Sequence, residues 1–85
     1  MTQRTVFQDL VRKAVGANRG KHPHFHSAHE GLALILEEVE ELKREVFRRK
    51  RKGDPLRFLN ELVDIAAYCE IFAEDSSTWN KGHEG

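Results

Sequence analysis

The chain of 85 residues has one cysteine, no excess of either charge and no long apolar run. A single cysteine, Cys69, cannot form an intramolecular disulfide, so we expect a reducing compartment. Lysines and arginines number 14, and aspartates and glutamates also number 14. Domains that bind nucleic acid or membrane surfaces usually carry a basic excess, so this balance argues against both partners.

Targeting and membrane-spanning patterns are also missing. The N-terminal stretch MTQRTVFQDLVRK has no continuous apolar core, so the sequence predicts no signal peptide. No stretch approaches the ~18 consecutive apolar residues of a transmembrane helix. We therefore expect a cytoplasmic protein. Its length is close to the size at which one chain buries too little apolar surface alone, which favours a partner subunit.

Three segments have the apolar spacing of amphipathic helices, at about 3–17, 28–52 and 55–75. The second begins with Ser27 and Glu30, the S-x-x-E pattern of a capping box. Its apolar positions recur at helical spacing and predict a core stripe centred near Val39; they are Leu32, Ile35, Leu36, Val39, Leu42 and Val46. The glycines of GANRG (16–20) predict the end of the first helix.

The same pattern predicts one all-α domain over residues 1–85, with a flexible tail at 76–85. Gly53 ends the second helix, and Asp54-Pro55 caps the third, so these two helices form an antiparallel hairpin. Two hairpins would assemble into a four-helix-bundle-like homodimer or homotetramer. An up-down monomer is the alternative.

Acidic residues on the two hairpin helices fall into matching pairs. Glu38 with Glu41, and Glu61 with Asp64, are spaced i, i+3 and therefore neighbour each other on a helix surface. The hairpin would bring the pairs together, and four oxygen ligands suit Mg²⁺ or Mn²⁺ better than Zn²⁺. Taken singly, each glutamate is more typical of a solvated helix face than of a metal site.

These residues resemble a known family. EEVEE (37–41) followed by ELVD (61–64) is similar to the EExxE…ExxD pattern of the MazG-like all-α nucleoside triphosphate pyrophosphohydrolases. FHSAHEGLALILEEVEEL and DIAAY resemble the corresponding segments of the dCTP pyrophosphatase branch. The resemblance covers roughly residues 25–72, and the acids are its most specific part.

The resemblance implies an enzyme that hydrolyses a nucleoside triphosphate, often a deoxynucleotide, to a monophosphate and pyrophosphate, in nucleotide-pool house-cleaning. It implies Mg²⁺, with Mn²⁺ as a substitute, bound by Glu38, Glu41, Glu61 and Asp64. Glu37 would assist a second ion or the attacking water, so the catalytic candidates are Glu37, Glu38 and Glu41. Candidates for substrate contact are His26, Tyr68 and Lys81, the last in a remnant of a basic tail.

Each of these readings has an alternative. His26 is also typical of an exposed connector, and Tyr68 of a bundle core. The chain as a whole also fits a non-catalytic helical dimerisation module. The basic run 48–52 suits a helix C-terminus better than nucleic acid. The histidines at 22–29 lack a zinc-binding pattern.

Overall fold

Three α-helices make up the part of the chain that the structure describes. The computed structural model describes residues 3–21, 24–48 and 55–79, which form α1 (Gln3–Lys21), α2 (Ala28–Phe47) and α3 (Pro55–Trp79). No strand occurs in these ranges, so the predicted all-α class is confirmed. α3 packs against both α1 and α2. None of the described helices has the length and apolar character needed to cross a bilayer.

The start of α2 follows from the Ser27 capping box. Ser27 Oγ accepts a hydrogen bond from the Glu30 N–H group at 3.1 Å, as the S-x-x-E pattern predicts. Glu30 Oε1 accepts from the N–H group of His26, one residue before the cap, at 2.7 Å. The predicted end at 52 is wrong, because α2 ends at Phe47 and Arg48 is extended. The predicted Gly53–Asp54 turn lies outside the described residues.

α1 continues through the glycines that were expected to end it. The helix reaches Lys21 rather than 17. Asn18 is buried and donates through Nδ2 to the Ala14 carbonyl at 2.9 Å. Arg19 pairs with Glu74 at 2.8 Å and Asp75 at 3.2 Å on α3. These contacts with α3 offset the low helix propensity of glycine, about 1 kcal/mol per residue.

α3 also extends beyond its predicted end at 75. Helix continues to Trp79, so residues 76–79 do not belong to a flexible tail, and 80–85 lie outside the described residues. The side chains of Ser76, Ser77 and Thr78 each donate to the carbonyl three residues earlier. Trp79 packs edge-on against Phe72, with ring centroids 5.5 Å apart. Hydroxyl residues that are typical of a loop are therefore held in helix by the tryptophan that follows them.

The face that α2 turns toward α3 differs from the predicted one. Leu32, Leu36 and Val46 are about half exposed, and Val39 is 39% exposed. Gly31 is buried, and Glu38 is partly buried. Two residues of the predicted stripe, Ile35 and Leu42, are partly buried, but its predicted centre at Val39 is exposed. α2 has more apolar surface than one neighbour covers, so the stripe is divided between α3 and the exterior.

Contacts along the hairpin show that α2 and α3 are antiparallel. Glu45 meets Arg57 near one end, and a Cβ atom built on Gly31 would meet Phe72 near the other. The Glu45–Arg57 pair is centred on position 51, as is Glu38 with Asp64. The register is therefore centred two residues before the predicted Gly53–Asp54 turn. In this register Glu38 is level with Asp64 and Glu41 is level with Glu61, since both pairs are centred on 51.

Gly31 lets two aromatic rings approach the backbone of α2. A Cβ atom here would lie 2.7 Å from Phe72 Cε2 and 3.2 Å from Phe25 Cδ2. We expect Gly31→Ala to lower the free energy of unfolding by about 1–2 kcal/mol, because overpacking outweighs alanine's better helix propensity. Gly16→Ala is the matched control: nothing lies within 4 Å of its Cβ position. It should stabilise by about 0.5–1 kcal/mol. Urea unfolding measures both, and equal shifts of the same sign would contradict the packing.

Candidate metal centre

Three acidic side chains from two helices converge on one point of the hairpin. Glu38 on α2 and Glu61 and Asp64 on α3 each place a carboxylate oxygen within 4.8 Å of the other two. All three residues are partly buried. Glu61 and Asp64 share a face because they are three residues apart on a helix. The antiparallel register then places Glu38 opposite both.

One oxygen of this cluster lacks a hydrogen-bond partner. Glu61 Oε1 is buried, and none of the described residues donates a hydrogen bond to it. Leaving a buried acceptor unsatisfied costs about 1–3 kcal/mol, and more for a charged group. A buried, unsatisfied carboxylate oxygen beside two further carboxylates is what a cation site presents to its ion.

The electrostatics of the cluster favour protonation when no cation is bound. Burial, followed by repulsion from Asp64, Glu41, Glu61 and Glu37, raises the pKa of Glu38 to about 7. Burial likewise raises the pKa of Glu61, with Glu41 and Asp64 adding to it. The pKa of Asp64 is also raised, chiefly by burial. A divalent cation would reverse this cost, because it replaces repulsion by attraction.

Glu41 and Glu37, also predicted at the site, lie at its edge. Neither belongs to the converging set of three, and both side chains are exposed. Glu41 is nevertheless close enough to raise the pKa values of Glu38, Glu61 and Asp64. Glu37 contributes to the raised pKa of Glu38. The structure thus brings three of the four predicted ligands together and leaves Glu41 beside them.

The predicted substrate contacts occupy different surroundings. Tyr68 is 6% exposed and packs against Phe25, with ring centroids 5.8 Å apart. Burial, together with the nearby Glu38 and Asp64 carboxylates, raises the pKa of Tyr68. The His26 side chain is exposed at the start of α2, with Nδ1 3.4 Å from Glu30 Oε1. Lys81 lies outside the described residues.

Sequence reasoning missed Lys21, and it treated Glu45 as the ion-pair partner of a basic residue on its own helix. Lys21, the last residue of α1, lies near enough to Asp64 to offset part of the burial that raises its carboxyl pKa. Glu45 accepts from Arg57 at 3.3 Å and lies 3.7 Å from Arg48, which closes the end of the hairpin beside Glu61. Periodicity within one helix cannot reveal the Lys21–Asp64 or the Glu45–Arg57 contact, because each joins residues of different helices.

The donor set fits a hard divalent cation. Carboxylate oxygens are the ligands that Mg²⁺ and Mn²⁺ prefer, and the described cluster offers neither histidine nor cysteine. Two oxygens on opposite sides of Mg²⁺ are about 4.2 Å apart, twice a ~2.1 Å bond. At most one of the three oxygen pairs can be opposite, and adjacent oxygens are about 3.0 Å apart. The oxygens of Glu38, Glu61 and Asp64, which lie within 4.8 Å of one another, would therefore move closer together on binding an ion.

Comparisons of the chain with protein-family models, with curated proteins and with solved structures return no match.

Proposed function

We propose that this protein is a Mg²⁺-dependent nucleoside triphosphate pyrophosphohydrolase of the MazG-like type. The observation that supports the proposal best is the convergence of Glu38, Glu61 and Asp64 around an unsatisfied buried oxygen. Three of the four acids that the motif assigns to the metal, Glu38, Glu61 and Asp64, are those that converge in the described part of the chain. A solvated acidic surface would explain the composition of α2, but it would not explain a buried oxygen without a partner.

The chemistry of the site follows from its charges. Bound Mg²⁺ would neutralise charge developing on the phosphoryl oxygens and lower the pKa of bound water. Glu38, Glu61 and Asp64 would hold it through their carboxylates. Glu37, whose charge contributes to the raised pKa of Glu38, would orient or deprotonate the attacking water. Such a role needs no serine or cysteine nucleophile.

The decisive experiment is a substrate panel. The purified protein is incubated with the common deoxynucleoside and nucleoside triphosphates, with Mg²⁺, Mn²⁺ or EDTA, and release of pyrophosphate and monophosphate is followed. We expect cleavage of at least one triphosphate with either ion and none with EDTA. Products containing orthophosphate and a diphosphate would contradict the reaction type, and no cleavage across the panel would contradict the enzyme.

An exposed apolar face supports the predicted homo-oligomer. In an antiparallel hairpin, the residues that directly follow the interface residues of each helix lie on one common side of the hairpin. Here they include Leu32, Leu36, Val39 and Val46 of α2 and Leu62 of α3, each at least 39% exposed. The acids Glu41 and Asp64 lie toward the other side of the hairpin, away from this apolar face. We infer that two hairpins pair through this apolar face, as a homodimer or as half of a homotetramer.

The same face favours the second candidate function, a non-catalytic dimerisation module. In that case the hairpin pairs through Leu36 and its neighbours, and the acidic cluster has no substrate. Assembly alone does not separate the two candidates, because both require it. Mg²⁺-dependent pyrophosphate release separates them, since only the enzyme produces it.

The proposed self-association can be tested by measuring the molar mass of the protein in solution. We expect Leu36→Glu to weaken self-association on the order of 100-fold, since it buries an unpaired charge at the centre of the apolar face. Light scattering after size-exclusion chromatography should give a multiple of the 9.8 kDa chain mass for the wild type and a smaller mass for the variant. Ala17→Glu, exposed on α1, is the control. A monomeric wild type would contradict the interface.

A further inference from the structure

A clamp at the C-terminal end of α3 holds the connector that precedes α2. Asp75 Oδ2 accepts a hydrogen bond from the Phe25 N–H group at 2.8 Å, and Trp79 Nε1 donates to the Phe25 carbonyl at 2.9 Å. Both backbone polar groups of one connector residue are therefore bound by side chains of α3. We call this arrangement, formed by Phe25, Asp75 and Trp79, the Phe25 clamp.

The Asp75 carboxylate is a buried charge that the proposed chemistry does not use. Its side chain is 9% exposed, and its other oxygen lies 3.2 Å from Arg19 Nη2 and 3.8 Å from His24 Nδ1. Burial alone would raise the pKa of Asp75, but the hydrogen bond from Phe25 and the pairing with Arg19 together lower it. The carboxylate is thus ionised, and a charge-assisted hydrogen bond of this kind is stronger than a neutral one.

The clamp is connected to the acidic cluster by rigid parts of the fold. Phe25 is 1% exposed and lies two residues before Ser27, the N-cap of α2. Its ring packs against Tyr68, one turn beyond Asp64 on α3. An α-helix rises about 1.5 Å per residue and has little internal freedom. Holding the first turn of α2, which begins at Ala28, therefore also fixes the axial position of Glu38 ten residues later.

We propose that Asp75 is a positioning residue for the metal centre, holding the Phe25 N–H group so that α2 keeps the register in which Glu38 meets Glu61 and Asp64. The expected effect of Asp75 on metal affinity rests on the proposed metal site, whereas its effect on the register of α2 is a property of the fold. Glu45 and Arg57 secure the opposite end of the hairpin. Without the Asp75 bond, the connector is held by the Trp79 hydrogen bond and by the packing of Phe25 against Tyr68, and the start of α2 can shift relative to α3.

Mn²⁺ affinity, measured from the spectrum of the free ion by electron paramagnetic resonance, tests the consequence. Asp75→Ala should raise the Kd for Mn²⁺ about tenfold, whereas Asp75→Asn, which retains an acceptor for the Phe25 N–H group, should stay within about twofold of wild type. Both variants lose the ion pair with Arg19, so a merely stabilising role predicts the same affinity in both. Val11→Ala, a buried change between α1 and α3, controls for general destabilisation.

A distance measurement tests the register without any metal. Spin labels are placed on cysteines at two exposed positions, Glu40 of α2 and Ser77 of α3, in a Cys69→Ser background diluted with unlabelled chain. We expect one narrow interspin distance in wild type and in Asp75→Asn, and a shifted or broadened one in Asp75→Ala. A slip of one turn would change the axial offset by about 5.4 Å.

The two readouts separate the possible failures. A wild type that binds no Mn²⁺ overturns the metal centre, and the spin-label distance then still decides the role of Asp75. An unchanged distance in Asp75→Ala, or equal Mn²⁺ affinities in the alanine and asparagine variants, overturns the positioning role. If Asp75→Ala does not fold, the double variant Arg19→Met/Asp75→Leu takes its place, because apolar replacement of a buried ion pair is often tolerated.

Discussion

Asp64→Asn is expected to lower the rate of pyrophosphate release by about 100- to 1,000-fold, because losing a metal ligand removes several kcal/mol of transition-state stabilisation. Glu38→Gln should have an effect of the same order, since both side chains belong to the converging set. The substitutions are nearly isosteric and remove a charge from a repulsive cluster. The folded state should therefore be retained, and the loss should appear in the rate rather than in the yield of soluble protein.

Glu40→Gln is the matched control for these variants. Glu40 lies on α2 between the site acids in sequence, but its side chain is 58% exposed and its nearest cation is Lys43 at 4.0 Å. Its activity should stay within about twofold of wild type, as expected for an exposed pair. An equal loss in Glu40→Gln and Asp64→Asn would mean that α2 acts through its overall charge and would contradict a defined site.

Glu41→Gln distinguishes three ligands from four. The family resemblance assigns Glu41 to the metal, whereas the structure leaves it exposed beside Glu38, Glu61 and Asp64. A loss as large as that of Asp64→Asn would support direct ligation in the loaded enzyme. A loss of tenfold or less would support an electrostatic role, since Glu41 raises the pKa values of all three neighbours.

Without metal, the free energy of unfolding of the protein is expected to fall as the pH rises. The pKa of Glu38 rises from 4.5 to about 7 on folding, so between these values the folded chain binds more protons than the unfolded chain. Glu38 therefore contributes its full stabilisation below its unfolded-state pKa of 4.5. This contribution is lost as the pH rises through the folded-state pKa of about 7. After discounting for solvent screening, the loss between pH 5 and 8 is about 1 kcal/mol.

Glu61 and Asp64 act in the same direction, whereas Asp75 acts in the opposite one. The pKa of Asp75 is lowered on folding, so its contribution is present above its ordinary pKa of 3.8 and is lost on strong acidification. Thermal unfolding without metal should therefore show its highest Tm near pH 5 and a decline toward pH 8. A Tm that rises steadily from pH 5 to 8 would contradict the acidic cluster as described.

Mg²⁺ should reverse this decline. At pH 8 and a concentration 100 times its Kd, the ion would add about 2.7 kcal/mol, which raises Tm by about 10 °C or more in a chain of this size. At pH 5 the shift should be smaller, because protons compete for the same oxygens. Choline chloride at equal ionic strength controls for screening. Glu38→Gln should lose most of both effects, and an unaltered Mg²⁺ shift in that variant would remove Glu38 from the site.

Local signals predicted the three helices and the face that Glu61 and Asp64 share. The S-x-x-E pattern at Ser27 and Glu30 predicted the start of α2, because a cap depends on groups only three residues apart. The i, i+3 spacing of Glu61 and Asp64 predicted a shared face for the same reason. The helix ends at 17, 52 and 75 were wrong, since the ends depend on contacts with other segments.

The sequence by itself determined that the chain is helical, where its helices begin and which carboxylates are spaced to act together, because all of these depend on neighbours within one or two turns. Only the tertiary structure decided how α2 is rotated against α3, which turns Glu38 inward and Val39 outward and leaves Glu41 at the rim. It also decided the role of Asp75, whose partners Arg19 and Phe25 are 56 and 50 residues away. Periodicity gives the faces of a helix, but packing against a second helix decides which face is used.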